Sequence, residues 1–198
     1  MFSARRRTPE REARIRQVLS LRQKDLTLVL NNIHDPHNVS AILRSCDAFG
    51  VPEVHLYYTD TAFPVPAAGS SASARKWVKT VRHRDMASLA QAMRAEGMRV
   101  YTASCSPAAQ SLYDSDLTLP SAFVLGNEHC GPDAEFAAPA CTEVYIPMYG
   151  MVQSFNVSVA AALLLAEASR QRKAAGLYSR PTYSDRELEA ICAEWMDK

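Results

Sequence analysis

The chain has 198 residues, 47% of them hydrophobic, which is the size of one ordinary domain and enough apolar material for a real core. No run of 18 or more apolar residues occurs, and the arginine-rich start lacks the apolar stretch of a secretory signal, so neither a membrane span nor export is expected and a cytoplasmic location is. The net charge of +1 hides an asymmetry: residues 1–24 hold eight Lys or Arg against two Glu, and the remainder carries a balance of −5.

Residues 10–23 read as an amphipathic helix within this basic arm. A strand over 26–30, a helix over 39–49 and a strand over 53–58 follow. Residues 59–74 are rich in Pro, Ala, Ser and Gly and too long for a routine connection, which marks a functional loop. That loop leads into Arg75, Lys76, Lys79, Arg82 and Arg84, a basic run that carries Trp77, a ring suited to stack on a nucleobase. Next come a strand at 78–81, a helix at 86–95 ending at Gly97, and strands at 100–103, 122–125 and 144–146. Residues 154–172 form a helix so rich in Ala, Val and Leu that most of its circumference should be buried, in a core or an interface. A last helix spans 185–196, with Leu188, Ile191, Cys192 and Trp195 at helical spacing. Short apolar runs alternating with helical patterns make this a single α/β domain on a mainly parallel sheet with helices on both faces.

The two basic segments point to a polyanionic partner, because each Lys or Arg near a phosphate displaces condensed counterions. The alternative is a pair of solvated faces unrelated to any ligand. Five scattered cysteines without a CxxC pair indicate neither a disulfide framework nor a zinc site. The seven glycines never form GxG, so the dinucleotide fingerprint and the P-loop are absent, which counts against a nicotinamide enzyme.

Three loops that follow strands could carry chemistry. The first is NNIHDPHN, residues 31–38. Its Asn38 is suited to cap the helix that follows. On that helix Val39, Ile42, Leu43, Cys46 and Phe49 make an apolar face, and Ser40, Arg44 and Asp47 line another. Taken alone, Arg44 reads as the partner of Asp47 in a surface ion pair of about 0.5 kcal/mol. His34 and His37 have no further ligands in view, and no metal site is expected. The second loop is LGNEHCGP, residues 125–132, in which Glu128 lies beside any ligand or else caps a turn. The third is IPMYGMVQSFN, residues 146–156, where Ser154 and Asn156 read as helix caps.

In order, these loops resemble the three motifs of the SPOUT superfamily, specifically the TrmH-type tRNA (guanosine-18-2′-O-)methyltransferases. The motifs are NNIHDPHNVSAILRSCDAFGVPEVH, FVLGNEHCGP and IPMYGMVQSFNVSVAAALLLAEASRQR; the arm RIRQVLSLRQKDLTLVL and the segment RKWV are also similar to this subfamily. His129, Phe155 and Arg75 stand where the family usually has Lys, Leu and a smaller polar residue. The resemblance implies a deep C-terminal trefoil knot within residues 25–175, flanked by a basic helical arm over 1–24 and a helical tail over 176–198. It implies S-adenosylmethionine bound by Ala103, Leu125, Gly126, Ile146, Met148, Ser154 and Phe155, largely through backbone. It makes Arg44 the principal catalytic residue, with Asn38 positioning, Ser154 and Asn156 supporting, and Glu128 shaping the site of a homodimer. The RNA contacts expected are Arg11, Arg14 and Arg22 of the arm, Lys76 and Trp77, and Arg172. A different tRNA ribose or ribosomal RNA is the alternative substrate, and a non-catalytic RNA-binding module is the alternative class.

Overall fold

Helices and strands alternate much as the periodicity predicts: α1 (Pro9–Ser20), β1 (Leu26–Asn31), α2 (Pro36–Ala48), β2 (Glu53–Tyr57), β3 (Lys79–His83), α3 (Met86–Ala95), β4 (Arg99–Ala103), β5 (Gln110–Ser111), β6 (Ser121–Leu125), β7 (Cys141–Tyr145), α4 (Val157–Ala174) and α5 (Asp185–Met196). These come from a computed structural model that describes residues 8–60, 62–63, 74–104, 106–127, 131–137 and 141–198. Most of the loop expected over 59–74 therefore lies outside the described residues. Strand β5 is absent from the sequence reading because two residues carry no periodicity.

The strands form one seven-stranded sheet in the order β3-β2-β1-β6-β4-β7-β5. Every pairing in it is parallel. Strands β1 and β6 are buried at every position, as a parallel strand covered on both faces must be. One face of the sheet packs α2, through Val39, Ile42, Leu43 and Cys46, and α4, through Val157, Ala161, Leu164, Leu165 and Ala168. The opposite face packs α3 through Leu89 and Met93, with Phe136 beside it. Each Val, Leu, Ile, Met or Phe among them contributes roughly 1.5–3 kcal/mol when fully buried.

Helix α2 begins three residues before the predicted start. Pro36 occupies its first turn, where no backbone donor is required, and the Asp35 carboxylate accepts from His37 N at 2.8 Å. Asn38 is therefore not the cap, and its side-chain oxygen instead accepts from Asn156. Ser40 is buried rather than on the polar face, because its hydroxyl donates to Pro36 O at 2.8 Å.

Helix α1 packs on α5: Ile15 and Leu19 meet Cys192, Trp195 and Met196 in a separate apolar cluster. This packing corrects the expected RNA contacts. Trp77 joins the cluster, half-buried, with its ring centroid 4.7 Å from that of Trp195, so its face is not open to a base. Arg22 is 0% exposed; it donates to Val51 O, pairs with Asp47 and lies 5.2 Å over the Trp195 ring. Arg172 is also 0% exposed. Its Nε donates to Leu117 O, Nη1 to Gln23 and Asp25, and Nη2 to Asp25 O and Leu119 O, which uses all five donors of the guanidinium. Neither arginine can reach phosphate. Arg14 is exposed, Arg11 is half-buried and donates to Trp195 O, and Lys76 is half-buried. No helix among the described residues is long and apolar enough to cross a membrane.

Candidate functional site

Parallel sheets place ligands at the carboxyl ends of their strands. Here the ends of β4, β6 and β7 and the start of α4 enclose a cavity of about 620 Å³. That is an ordinary size for a cofactor site. Ala103 enters from the end of β4, Leu125 and Gly126 from the end of β6, and Ile146, Met148, Ser154 and Phe155 from the segment between β7 and α4. All seven positions at which a cofactor is expected thus line one space.

Gly126 is needed at its position. A Cβ there would lie 2.0 Å from Pro132 N and 2.1 Å from the Gly131 carbonyl carbon, because the chain doubles back through an antiparallel bridge between Asn127 and Gly131. Gly126→Ala is expected to displace this turn, costing roughly 1–3 kcal/mol in stability and disrupting ligand binding in the cavity. Thermal unfolding and calorimetry with S-adenosylhomocysteine check both effects; wild-type values for the two would mean the close approach is unimportant.

The turn after β1 is tied to the turn after β6 by a polar network that the sequence reading missed. Asn31 Nδ2 donates to Asp133 Oδ2 at 2.9 Å, and Asp133 N returns a bond to Asn31 Oδ1 at 2.7 Å. Asn32 Nδ2 and Thr59 Oγ1 also donate to Asp133, and Asn127 Nδ2 donates to Asn32 O at 3.3 Å. Asn32 has φ +51°, a left-handed conformation that asparagine tolerates better than most residues, so the NN doublet at a strand end was the available signal. Beside the network, burial and a hydrogen bond to Glu135 push the Tyr57 phenol well above its ordinary pKa. Tyr57 is therefore a neutral donor at physiological pH.

The first and third loops meet directly. Asn156 caps α4 by accepting from Ser158 N at 2.9 Å, and its Nδ2 donates to Asn38 Oδ1 at 3.1 Å. Asn156 is thus both cap and link, whereas Ser154 lies before the cap, exposed, at the cavity. Glu128 lies outside the described residues.

Arg44 is not brought to its own chain's cavity. It sits six residues beyond Asn38, about 9 Å further along the helix axis, exposed and turned away from the core face. Its expected partner Asp47 is taken by buried Arg22. Among the described residues no group pairs with Arg44, so its guanidinium is uncommitted.

The cavity suits a cationic, partly apolar ligand: Leu125, Ile146, Val157 and Leu164 give it apolar walls, and Asp133 and Glu143 give it negative charge.

The chain matches the model of the SpoU rRNA methylase family over residues 25–166. It is 43% identical over 194 residues to the tRNA (guanosine(18)-2′-O)-methyltransferase of Thermus thermophilus, covering 98% of this chain and 100% of that one. Its structure is similar to that of the Aquifex aeolicus TrmH/SpoU tRNA modifying enzyme, with a TM-score of 0.87 at 36% identity over 94% of this chain and 95% of that one. It is also similar to the SpoU methyltransferase AviRb from Streptomyces viridochromogenes in complex with the cofactor AdoMet, with a TM-score of 0.66 at 26% identity over 76% of this chain and 59% of that one.

Proposed function

The chain belongs to the SpoU rRNA methylase family, and we propose that it methylates the ribose 2′-hydroxyl of guanosine 18 in tRNA, using S-adenosylmethionine, in the cytoplasm. The observation that carries this reading is the convergence of three separated segments on one cavity, lined at all seven positions expected to hold the cofactor. The 43% identity to a tRNA (guanosine(18)-2′-O)-methyltransferase over nearly the whole chain favours this nucleotide and tRNA over ribosomal RNA.

When bound, S-adenosylmethionine supplies a methyl group on a cationic sulfonium. Held by Leu125, Gly126, Ile146 and Phe155, it would supply that methyl to the ribose oxygen in exchange for the carbon–sulfur bond, and the hydroxyl proton would pass to water. A ribose hydroxyl is a poor nucleophile, so the protein must hold it in line and stabilise the negative charge growing on oxygen. Arg44 supplies that charge stabilisation; with a side-chain pKa above ~12 a guanidinium is a poor proton acceptor. Asn38 and Asn156, already hydrogen-bonded to each other, position the ribose, and Ser154 supports it from the cavity rim. We assign Glu128 the shaping of the same site. Arg14 is the expected arm cation best placed to meet phosphate, since its side chain is exposed.

The active form is a homodimer whose sites each draw Arg44 from the partner. Two observations support it: Arg44 stands away from its own cavity, and apolar surface is exposed nearby at Tyr149 (97%), Met151 (99%) and Val159 (45%). Helix α4 also leaves Leu163 and Ala166 only half-buried, so the burial expected over most of its circumference is not completed within one chain. The C-terminal half forms a trefoil knot; the insertion of β6 between β1 and β4, and the tight crossing at Gly126, support that threading.

Incubation with unmodified tRNA and methyl-labelled S-adenosylmethionine, followed by nucleotide mapping, tests the proposal. The expected product is 2′-O-methylguanosine at position 18. Label on a base, or none, overturns the reaction class; label on another ribose overturns the nucleotide.

A further inference from the structure

The charges lining the cavity are of one sign. Asp133 and Glu143 face it, and among the described residues no Lys, Arg or His lines it. Asp133 is held by donors from Asn31, Asn32 and Thr59, which fix its carboxylate in place. Glu143 is different. It projects from β7, half-buried, and among the described residues it accepts from the hydroxyl of Ser106, in the turn after β4. Among the described residues of its own chain no cation pairs with this carboxylate, and in a partly enclosed site its field is screened less than at an open surface.

Resting on the reading of this cavity as the methyl-donor site, we propose that Glu143 makes the protein select the charged donor over its own product. S-Adenosylmethionine carries a sulfonium and an ammonium against one carboxylate, for a net +1. Loss of the methyl group turns the sulfonium into a neutral thioether, and S-adenosylhomocysteine has no net charge. A fixed negative potential therefore favours the donor by a Coulombic amount that vanishes at transfer, which weakens product retention without any change in shape. Backbone hydrogen bonds to the adenosine and the amino-acid group do not respond to this change of charge, because donor and product share both.

Glu143→Gln tests this, since glutamine keeps the length of the side chain and an oxygen to accept from Ser106 while removing the charge. Dissociation constants are measured by calorimetry for S-adenosylmethionine, S-adenosylhomocysteine and sinefungin, in which an ammonium-bearing carbon replaces the sulfonium. The expected result is a loss of about threefold to tenfold for S-adenosylmethionine and sinefungin, with S-adenosylhomocysteine changed by less than about twofold. The loss for the two cations should shrink at high salt. Near-normal S-adenosylhomocysteine binding also shows that the variant is folded. Equal losses for all three would assign Glu143 to an uncharged part of the ligand and overturn the proposal, as would no loss for any. Failure of the wild-type protein to bind any of the three would overturn the donor-site reading together with this inference.

Discussion

Arg44→Ala is expected to lower the rate of methyl transfer by about 10²–10³, the scale seen when one fixed donor to a developing oxyanion is removed. Cofactor affinity should stay within about twofold, because the role assigned to Arg44 is toward the ribose oxygen, and the seven positions expected to hold the cofactor do not include it. Stability should change by no more than about 0.5 kcal/mol, since the side chain is exposed and no described residue pairs with it. Arg44→Lys keeps a charge but not the planar fork, and should recover only part of the rate. Single-turnover rates with saturating cofactor and tRNA, beside calorimetry with S-adenosylhomocysteine, separate these effects. An alanine variant with wild-type turnover would remove Arg44 from the mechanism. Mixing Arg44→Ala chains with chains defective in the cavity adds a test of assembly: if each site borrows Arg44 from the partner, heterodimers regain one working site.

Arg172→Ala should be the most damaging single change to the fold. Its guanidinium, 0% exposed, ties the C-terminal part of α4 to Asp25 before β1 and to the carbonyls of Leu117 and Leu119 before β6. Removing it leaves the Leu117 carbonyl and Gln23 Oε1 without the donor that Arg172 supplies and Asp25 without its cation, while Leu119 O keeps the Ser121 hydroxyl. Breaking a buried pair in this way costs about 3–5 kcal/mol; the lower figure applies here, because the Asp25 side chain is 32% exposed and can rehydrate. In a domain of this size, about 3 kcal/mol corresponds to a fall in Tm of roughly 6–12 °C. Below the transition, tRNA affinity and its dependence on salt should match the wild type, as expected of a residue with no donor left for phosphate. A variant with normal Tm and a reduced salt slope would reinstate Arg172 as an RNA contact.

Two arginines that read from the sequence as RNA ligands therefore act as internal braces, and the reason lies in their partners. Arg22 meets Asp47, 25 residues away, and Arg172 meets Asp25, 147 residues away. Local charge counts treat all basic side chains alike, whereas the folded chain divides them by whether a carboxylate and spare carbonyls lie within reach. Trp77 followed the same course: a tryptophan in a basic run suits a nucleobase, yet α5 brings Trp195 to its ring.

The order of strands and helices, the apolar faces of α2 and α4, and the loops that follow β1, β6 and β7 were legible in the sequence, because each depends on residues within a few positions of one another. Backbone periodicity is a local property; the Asp35-Pro36 start of α2 is local too, but Asn38 was read as the cap in its place. The residues at strand ends that line the cavity were implied by the family resemblance rather than by periodicity or spacing. The tertiary structure alone decided that the β1 and β6 turns are bound through Asp133, that Asn38 pairs with Asn156 rather than capping its helix, and that Glu143 faces the cavity. Those outcomes depend on the sheet order, which sets segments roughly a hundred residues apart side by side, and hydrogen bonds at that range leave no period or spacing to read.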